Sequence, residues 1–383
     1  ILGTDLSVAT ISGIFTRLAL PIDEKEGHYT VTVPGRRTDL NIPADLIEEV
    51  GRLYGYDNLP TAMIAGESTP GDLTPRQKKI RASREVMESL GFDQAISYAL
   101  TTPEKASRFN LTTDRDLVAL DYPMSSDRTT IRQNLLSGLL DDVAYNVARS
   151  VKNIFLYEQG RVFLATTPGL QPEEREHLAG VMVGNLAEST WQTGEKDELV
   201  DFYDVKGRVE AYLQAIGVKE VRFEKSGQHE AMHPGQTADV FSGSIYLGFV
   251  GQVHPQIVAD AKLPAVFAFE IDLEEVITHS QSVVAYQPVS KYPQITRDLA
   301  LLVDETISQQ AVADVIKDHG GEFLQSVTFF DLYTGQGTPE GKKSLAYQLV
   351  YQDKTDTLVE PVVTGAFTAM TEALEAELGA EIR

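Results

Sequence analysis

Four acidic side chains lie close together near the start of the chain: Asp39, Asp45, Glu48 and Glu49. A helix is predicted to begin at Pro43, because proline is favoured in a first turn and apolar residues follow at helical spacing. On this helix Asp45, Glu48 and Glu49 are neighbours on the face opposite the apolar one. Clustered carboxylates suit a hard cation such as Mg²⁺ or Ca²⁺. The spacing alone leaves two interpretations open, a metal site or, more commonly, a solvated acidic face.

The residues around these acids match a known signature. The pattern P-x-x-R-x-D fits residues 34–39, and D-L-I-E-E-[VI]-x-R-x-Y-G-Y-D-x-[IL]-P fits residues 45–60. This stretch resembles the B5 domain in the β subunit of bacterial phenylalanyl-tRNA synthetases. The resemblance implies that four acids contribute to a Mg²⁺ site shared with the α subunit of the enzyme. These acids are Asp39, Asp45, Glu48 and Glu49.

The whole chain is acidic and contains no cysteine. With 33 Lys and Arg against 56 Asp and Glu, its 383 residues carry a formal charge of −23. This charge argues against a nucleic-acid binder that works alone, because phosphate contacts need Lys and Arg. Without cysteine there is no disulfide, Cys-ligated zinc or thiol catalysis, which fits a reducing compartment such as the cytoplasm. No apolar run is long enough for a membrane span. The start at Ile1 indicates a fragment of a longer protein.

Three domains are expected, at residues 1–72, 73–286 and 287–383. In the first, a helix capped by Ser7, a strand at Tyr29–Val33 and the acidic helix form a small winged-helix-like unit. In the second, strands outnumber helices and lack regular crossovers, which favours an α+β fold with an antiparallel sheet. Within it, strands are predicted at Gln94–Leu100 and Val118–Tyr122, and a buried strand with a tight turn at Ile154–Phe163.

The central domain resembles the catalytic-like core of the same β subunit, which is built like a class II synthetase. The resemblance implies a copy without catalytic residues that packs on the active α subunit. A class II site needs an arginine clamp on ATP and acids for Mg²⁺. Arg132 and Arg161 are present but lack acids at motif spacing, which favours a structural role. The matching segments include residues 135–140, 155–163, 201–207 and 248–255.

The last domain shows the order β-α-β-β-α-β, which is typical of a ferredoxin-like split βαβ unit. Its residues resemble the anticodon-binding domain at the C-terminus of the same β subunit. The resemblance implies contact with the tRNA anticodon arm, although acids outnumber Lys and Arg here. Single-stranded bases are read by stacking and edge contacts, which need fewer positive charges. The candidate tRNA-binding residues are Arg297, Tyr333, Lys342 and Lys343.

Two further motifs are weak. Residues His229–His233 fit H-E-x-x-H, but Gly227 and Pro234 leave one helical turn at most, and the zinc-protease motif needs a continuous helix. We therefore expect a loop. Residues 337–344 nearly form a P-loop, but the glycine spacing is one residue short and no helix follows. We expect a hairpin connection there.

Together these resemblances imply a C-terminal part of the β subunit in the bacterial phenylalanyl-tRNA synthetase family. The expected assembly is an (αβ)₂ heterotetramer that attaches phenylalanine to tRNA-Phe with ATP as substrate and Mg²⁺ as cofactor. This chain would supply no catalytic residue. It would pack on the α subunit and contact tRNA. Two alternatives stay open, namely a non-enzymatic acidic binding scaffold with a metal-stabilised helix, and a metallohydrolase built on His229 and His233.

Overall fold

The computed structural model describes residues 1–383 except 62, 64, 69, 112–114, 168–169, 188–189, 192–197 and 282–283. The chain divides into two compact units, Ile1–Asp72 and Leu73–Arg383. Among the residues described, no helix combines the length and apolar character needed to cross a membrane.

The first unit contains two helices and a hairpin. Ser7 caps the first helix, because its Oγ accepts a hydrogen bond from the Thr10 amide at 3.2 Å. The hairpin turns at Glu26 and Gly27, whose φ angles of 53° and 80° are typical of a two-residue turn. The strand expected near Tyr29 is present, and the sequence pattern does not predict its partner. The elements are α1 (Val8–Arg17), β1 (Ile22–Lys25), β2 (His28–Val31), α2 (Pro43–Tyr54) and a 3₁₀ turn (Tyr56–Asn58).

A small apolar core holds the first unit together. Helix α1 contributes Ile14 and Phe15, and α2 contributes Val50. Leu20 and Leu40 come from the connecting loops and are also buried. The helix α2 begins at Pro43 and ends before Gly55, as expected from the sequence. Its apolar face therefore packs inward and fixes which of its acidic residues reach solvent.

The second unit contains a seven-stranded sheet, called the core sheet. Its strand order is β3-β6-β7-β11-β10-β9-β8. The edge strand β3 is parallel to β6, and every other neighbouring pair is antiparallel. The elements from α3 to α8 are α3 (Pro75–Ser89), β3 (Asp93–Gln94), β4 (Leu100–Thr101), α4 (Pro103–Ala106), β5 (Thr130–Ile131), α5 (Leu136–Val147), β6 (Ile154–Leu164), β7 (Glu173–Val183), α6 (Phe202–Ile216), β8 (Val221–Lys225), β9 (Met232–Ser242), β10 (Ile245–Val253), α7 (Pro255–Asp260), β11 (Phe267–Asp272) and α8 (Leu273–His279).

Helices cover both faces of the core sheet. One apolar cluster joins α3, α6 and α8 to one face, and a second joins α5 and α7 to the other. The central strand β7 shows the consequence, because Met182 belongs to the first cluster whereas Val181 and Val183 belong to the second. A strand buried on both faces has no polar alternation. This explains why β7 is apolar throughout its second half.

Three local predictions for the core are wrong. The strand expected at Gln94–Leu100 is interrupted between β3 and β4. In this gap the Ser97 amide donates to the Glu158 carboxylate at 3.3 Å and not to a neighbouring strand. At Val118–Tyr122 only Ala119 forms a bridge, to Thr130. The tight turn expected within Ile154–Phe163 does not form, because β6 runs in unbroken register with β7.

The last part of the second unit forms a four-stranded antiparallel sheet, called the C-terminal sheet. Its order, β13-β14-β12-β15, is that of a ferredoxin-like split βαβ fold. The α+β prediction is confirmed for this domain and for the core. Helices α9 and α10 cover one face, around Leu301, Tyr347 and Met370. The elements are β12 (Ile295–Asp304), α9 (Gln309–His319), β13 (Leu324–Tyr333), β14 (Lys342–Tyr351), α10 (Glu360–Leu378) and β15 (Glu381–Ile382).

Candidate functional site

Asp45 in the acidic cluster of the first unit caps its own helix. Its Oδ2 accepts hydrogen bonds from the Asn41 amide at 2.7 Å and the Ile42 amide at 2.8 Å. These amides lie at the start of α2, where backbone N–H groups lack partners within the helix. One of the four predicted metal ligands therefore also holds the helix in place, through one of its two oxygens.

Arg37 joins two other acids of the cluster. Its guanidinium contacts both oxygens of Asp39, with the closest approach 2.6 Å, and it contacts Glu49 at 3.1 Å. Arg52 contacts the same Glu49 at 2.8 Å. The hydrogen bond from Arg37 is the main cause of the lowered pKa values of Asp39 and Glu49. Both carboxylates are therefore ionised at neutral pH, and their charge is partly neutralised from within the chain.

Glu48 differs from its neighbours in the cluster. It is exposed, whereas Glu49 is buried beneath the two arginines. The predicted acidic face of α2 is thus solvated at Glu48 and covered at Glu49. Within the described part of the chain, Glu48 makes no hydrogen bond or ion pair. Four acids face two arginines here, so the cluster keeps an excess of two negative charges, 4 − 2 = 2.

The oxygen-only donor set of the cluster fits a hard divalent cation. Even so, no group of three or more His, Cys, Asp or Glu side chains within the described residues could hold a metal ion. Within the described residues, the four predicted ligands are therefore not brought together as a metal-binding group.

The H-E-x-x-H motif does not form a metal site. His229 lies before β9, where its Nε2 contacts Asp239 at 2.7 Å and its ring packs on Phe249. His233 lies within β9, and its Nδ1 accepts a hydrogen bond from the Gly235 amide at 3.0 Å. The two histidines are on different elements and engage different partners. The metallohydrolase alternative has no geometric support.

Arg132 in the core is a buried structural residue. Its Nη1 contacts Glu158 at 2.6 Å, and its Nε donates to the Arg161 carbonyl at 2.9 Å. The guanidinium lies against Gly160, where a Cβ atom would be 2.6 Å from Nη2. This close approach explains why a glycine stands at position 160, within the segment where a tight turn was expected. Arg161 is more exposed and pairs with Glu174 and Glu176.

A second buried pair in the core is not predicted by any sequence motif. Glu270 is fully buried in β11 and contacts His177 Nδ1 at 2.8 Å. Its carboxylate also accepts hydrogen bonds from the Leu135 and Leu136 amides, each at 3.1 Å, at the start of α5. A lone glutamate inside an apolar strand is the available signal, because a buried charge needs dedicated partners. Both core pairs stabilise the fold, and the first of them engages the guanidinium of Arg132.

The predicted tRNA-binding residues do not come together. Arg297 pairs with Glu360 at the start of α10. Lys343 donates to the Glu305 carbonyl at 3.0 Å and lies opposite Val303 in the sheet register. Because Arg297 and Val303 are six residues apart on one strand, the two cations are separated by about 20 Å.

Tyr333 and Lys342 lie on the open face of the C-terminal sheet, away from the helices. Tyr333 is opposite Ser344, and Lys342 pairs with Glu381. On this face Ser344 lies between Tyr333 and Leu302, and Ala346 lies opposite Asp331. The bulge in β13 between Phe329 and Asp331 leaves Phe330 without a partner and 57% exposed. The open face thus carries the Tyr333 ring, the Asp331 carboxylate and the small side chains of Ser344 and Ala346, and of these the sequence analysis selected only Tyr333.

The core sheet has one parallel edge strand and is followed by a ferredoxin-like domain, and both core arginines singled out in the sequence, Arg132 and Arg161, are paired within the chain. The family model for the phenylalanyl-tRNA synthetase β chain CLM domain matches residues 59–273. The chain therefore belongs to the phenylalanyl-tRNA synthetase β chain family. The tRNA synthetase B5 domain matches residues 1–56, and the ferredoxin-fold anticodon binding domain matches residues 290–383.

Relatives with established names align along the whole chain. The phenylalanine–tRNA ligase β subunit of Lactiplantibacillus plantarum is 48% identical over 384 aligned residues, and that of Latilactobacillus sakei is 42% identical. The corresponding protein of Bacillus cereus is 41% identical. In each case the alignment covers 100% of this chain and 47% of the relative. The chain thus spans about half the length of these relatives.

Proposed function

We propose that the chain is the C-terminal part of a phenylalanine–tRNA ligase β subunit and supports the charging of tRNA-Phe without supplying catalytic residues. The observation that carries the proposal is the unbroken order of three matched domains, B5, CLM and ferredoxin-fold, along one chain. The partners are the α subunit, in an (αβ)₂ assembly, and tRNA-Phe. ATP is a substrate of the assembly, which works in the cytoplasm.

The ion pairs of the core support the assignment of catalysis to the α subunit. A class II active site binds ATP phosphates through free arginines and Mg²⁺-holding acids. Here Arg132 forms an ion pair with Glu158, and Arg161 forms ion pairs with Glu174 and Glu176. Phenylalanyl-adenylate formation therefore belongs to the α subunit.

The first test concerns assembly and activity. The full-length β subunit that contains this chain is co-expressed with its α subunit, and the mass of the complex and tRNA-Phe charging are measured. A complex of two α and two β chains that charges tRNA-Phe is expected. This chain alone should give no phenylalanine-dependent pyrophosphate exchange. Exchange above background, or failure of the full-length chains to associate, would contradict the proposal.

The acidic cluster is proposed as this chain's share of a Mg²⁺ site at the α–β interface. Asp39, Asp45, Glu48 and Glu49 are its ligand candidates, and Glu48 makes no hydrogen bond or ion pair with the described residues. Bound Mg²⁺ would neutralise the remaining charge and bridge the two chains. Weak Mg²⁺ binding by the isolated chain is expected, because Mg²⁺ needs near-octahedral coordination and the cluster offers only part of it. Submicromolar binding in calorimetry without the α subunit would contradict this.

The open face of the C-terminal sheet is proposed as the tRNA contact. Tyr333 is 45% exposed, and its ring can stack on an unpaired base. The charged groups of Lys342, Lys343 and Arg297 are engaged within the chain, so they are expected to contribute less. The hydrogen bond from Tyr333 Oη to the Gln336 carbonyl at 3.1 Å does not involve the ring face. In the complex, Tyr333→Ala should raise the Michaelis constant for tRNA more than Lys342→Ala with Lys343→Ala does. Tyr203→Ala removes another exposed tyrosine and serves as control. Equal Michaelis constants for Tyr333→Ala and wild type would exclude this face.

A further inference from the structure

A cavity in the core lies beside His229, the first histidine of the H-E-x-x-H motif. Its volume is about 280 Å³. One wall is the segment 107–110, which follows α4, and the other is the segment 228–232, which leads into β9. Phe249 of β10 also lines it. None of these residues belongs to the acidic cluster or to the open face of the C-terminal sheet, so the cavity is separate from the sites described above.

Both walls of the cavity are held in place by the chain. In the first wall, Phe109 is buried, and the side-chain amide of Asn110 donates to Gln133 Oε1 at 2.6 Å. In the second wall, the Met232 amide donates to the His229 carbonyl at 2.9 Å. A cavity with fixed walls loses little conformational freedom when a ligand enters, which favours binding.

The floor of the cavity is apolar and rich in rings. Phe109, Met232 and Phe249 line it and are 2%, 2% and 0% exposed. The His229 ring lies 4.5 Å from the Phe249 ring, centre to centre, at an angle of 38°. The contact of its Nε2 with Asp239 at 2.7 Å fixes the orientation of the imidazole. Because aromatic rings pack favourably on one another, this floor suits an apolar side chain that carries a ring.

The rim of the cavity carries one cation and one anion, on different walls. Arg108 and Glu230 are both exposed, and neither side chain makes a hydrogen bond or ion pair with the described residues. Two other acids lie near. Asp239 is engaged by His229, and the pKa of Glu104 is lowered mainly by its own backbone amide and only further down by the charge of Arg108. The rim thus offers an unpaired guanidinium and an unpaired carboxylate to a ligand that carries both charges.

We propose that this cavity binds a free α-amino acid with an aromatic side chain. The carboxylate of the ligand pairs with Arg108, its ammonium group pairs with Glu230, and its ring lies on the floor beside His229. The volume agrees with this size class, because pockets for larger, drug-sized ligands measure roughly 300–1,000 Å³. The inference does not rest on the proposed function, since it requires only residues of this chain. The site would bind the amino acid without activating it.

The test measures binding of L-phenylalanine to the 383-residue chain by calorimetry, with three comparison compounds. L-Phenylalaninamide lacks the carboxylate, N-acetyl-L-phenylalanine lacks the ammonium group, and L-alanine lacks the ring. The variants are Arg108→Gln and Glu230→Gln. Arg17→Gln and Glu85→Gln alter exposed residues of the same types elsewhere and are the matched controls. Thermal unfolding checks the fold of each variant, and hydrogen exchange of residues 107–110 and 228–232 locates the bound compound.

Each comparison compound should bind at least about tenfold more weakly than L-phenylalanine, because a hydrogen bond to a charged group contributes about 1.5–3 kcal/mol. Arg108→Gln should weaken binding of L-phenylalanine but not of its amide. Glu230→Gln should weaken binding of L-phenylalanine but not of its N-acetyl derivative. The control variants should bind like wild type, and the two wall segments should be protected from exchange.

Three results would overturn the site: no binding of L-phenylalanine at about 10 mM, equal affinity for the zwitterion and both derivatives, or protection confined to other segments. Wild-type affinity in both rim variants would do the same. None of these results bears on the proposed function, because assembly with the α subunit and charging of tRNA-Phe are measured separately.

Discussion

The carboxylates of the core and those of the first unit are treated in opposite ways by the fold. In the core, Glu158 and Glu270 are 2% and 0% exposed, and each has a dedicated cationic or imidazole partner. In the first unit, Asp39 and Glu48 are exposed, and Arg37 and Arg52 contact two of the four acids, Asp39 and Glu49. The same residue types are thus buried and paired in the core, whereas in the first unit some of them remain accessible to solvent.

The difference separates structural acids from candidate ligands. Glu158 accepts hydrogen bonds from the amide and hydroxyl of Ser97 as well as from Arg132, so its charge is fully satisfied within the chain. A buried charge with this many donors is costly to disturb. Glu48 has no such partner among the described residues, so replacing it disturbs the fold little. Changes to the buried core pairs should therefore lower the free energy of unfolding. A change at Glu48 should instead affect assembly and leave stability nearly unchanged.

The largest effect on stability is expected for Arg132→Leu. This change leaves the Glu158 carboxylate buried without its cation and should lower the free energy of unfolding by about 3–5 kcal/mol. Urea unfolding of the chain, monitored by far-ultraviolet circular dichroism, measures this loss of stability. Arg161→Leu, which breaks a more exposed pair, should cost at most about 1 kcal/mol. Equal losses for the two variants would show that burial does not set the cost.

A smaller loss is expected for Glu270→Gln. The amide keeps one acceptor oxygen for the Leu135 and Leu136 N–H groups but removes the charge opposite His177. Hydrogen bonds to a charged group contribute about 1.5–3 kcal/mol, so a loss near that size is expected in the same unfolding assay. Hydrogen exchange at the start of α5 should rise with it. Unchanged exchange there would separate Glu270 from helix capping.

Periodicity and capping residues predicted most elements of this fold. The helix starting at Pro43 and the complete βαββαβ order of the last domain follow from local pattern and lie where expected. Prediction failed where a distant contact decides the backbone. Ser97 leaves a strand to reach Glu158, and Gly160 makes room for Arg132 rather than a turn. Neither partner is visible from neighbouring residues in the sequence.

The candidate sites follow the same rule. The acids of the first unit could be selected by spacing and family resemblance, but the role of Arg37 as their internal cation depends on how the loop folds back on α2. In the last domain, the sequence indicates cationic residues as tRNA-binding candidates. The strand register, however, places Arg297 and Lys343 on the helix side of the sheet. Side-chain direction along a strand depends on register, which composition does not determine.

Asp45→Ala sharpens the comparison within the first unit. Asp45 supports the start of α2 through two backbone amides, so its removal should destabilise the helix by about 1 kcal/mol. Hydrogen exchange of amides in α2 measures this loss. Asp45→Asn keeps an acceptor and should retain most of the protection. If Asn behaves like Ala, the negative charge rather than the hydrogen bonds supports the helix.

Acid should weaken the contacts of Arg37. The pKa values of Asp39 and Glu49 are lowered in the folded chain, mainly by the Arg37 hydrogen bond. Their contribution is therefore fully present above the ordinary carboxyl pKa of about 4 and is lost as pH falls through the lowered values. Protection of α2 amides should decline in this range. In Arg37→Gln, the protection of α2 amides should decline less as pH falls. If this variant keeps the wild-type pH dependence, the decline is caused by other acids.

The smallest effect on stability, and the most informative, is expected for Glu48→Gln. Glu48 is exposed and makes no contact in the described part of the chain, so the free energy of unfolding should change by less than about 0.5 kcal/mol. If Glu48 completes a Mg²⁺ shell with the α subunit, the same change should weaken Mg²⁺-dependent α–β association. Glu85→Gln alters another exposed helical glutamate, on α3, and is the matched control. Association is measured at several Mg²⁺ concentrations by analytical ultracentrifugation. Wild-type Mg²⁺ dependence in Glu48→Gln would remove this residue from the ligand set and leave the cluster as a solvated, internally paired surface.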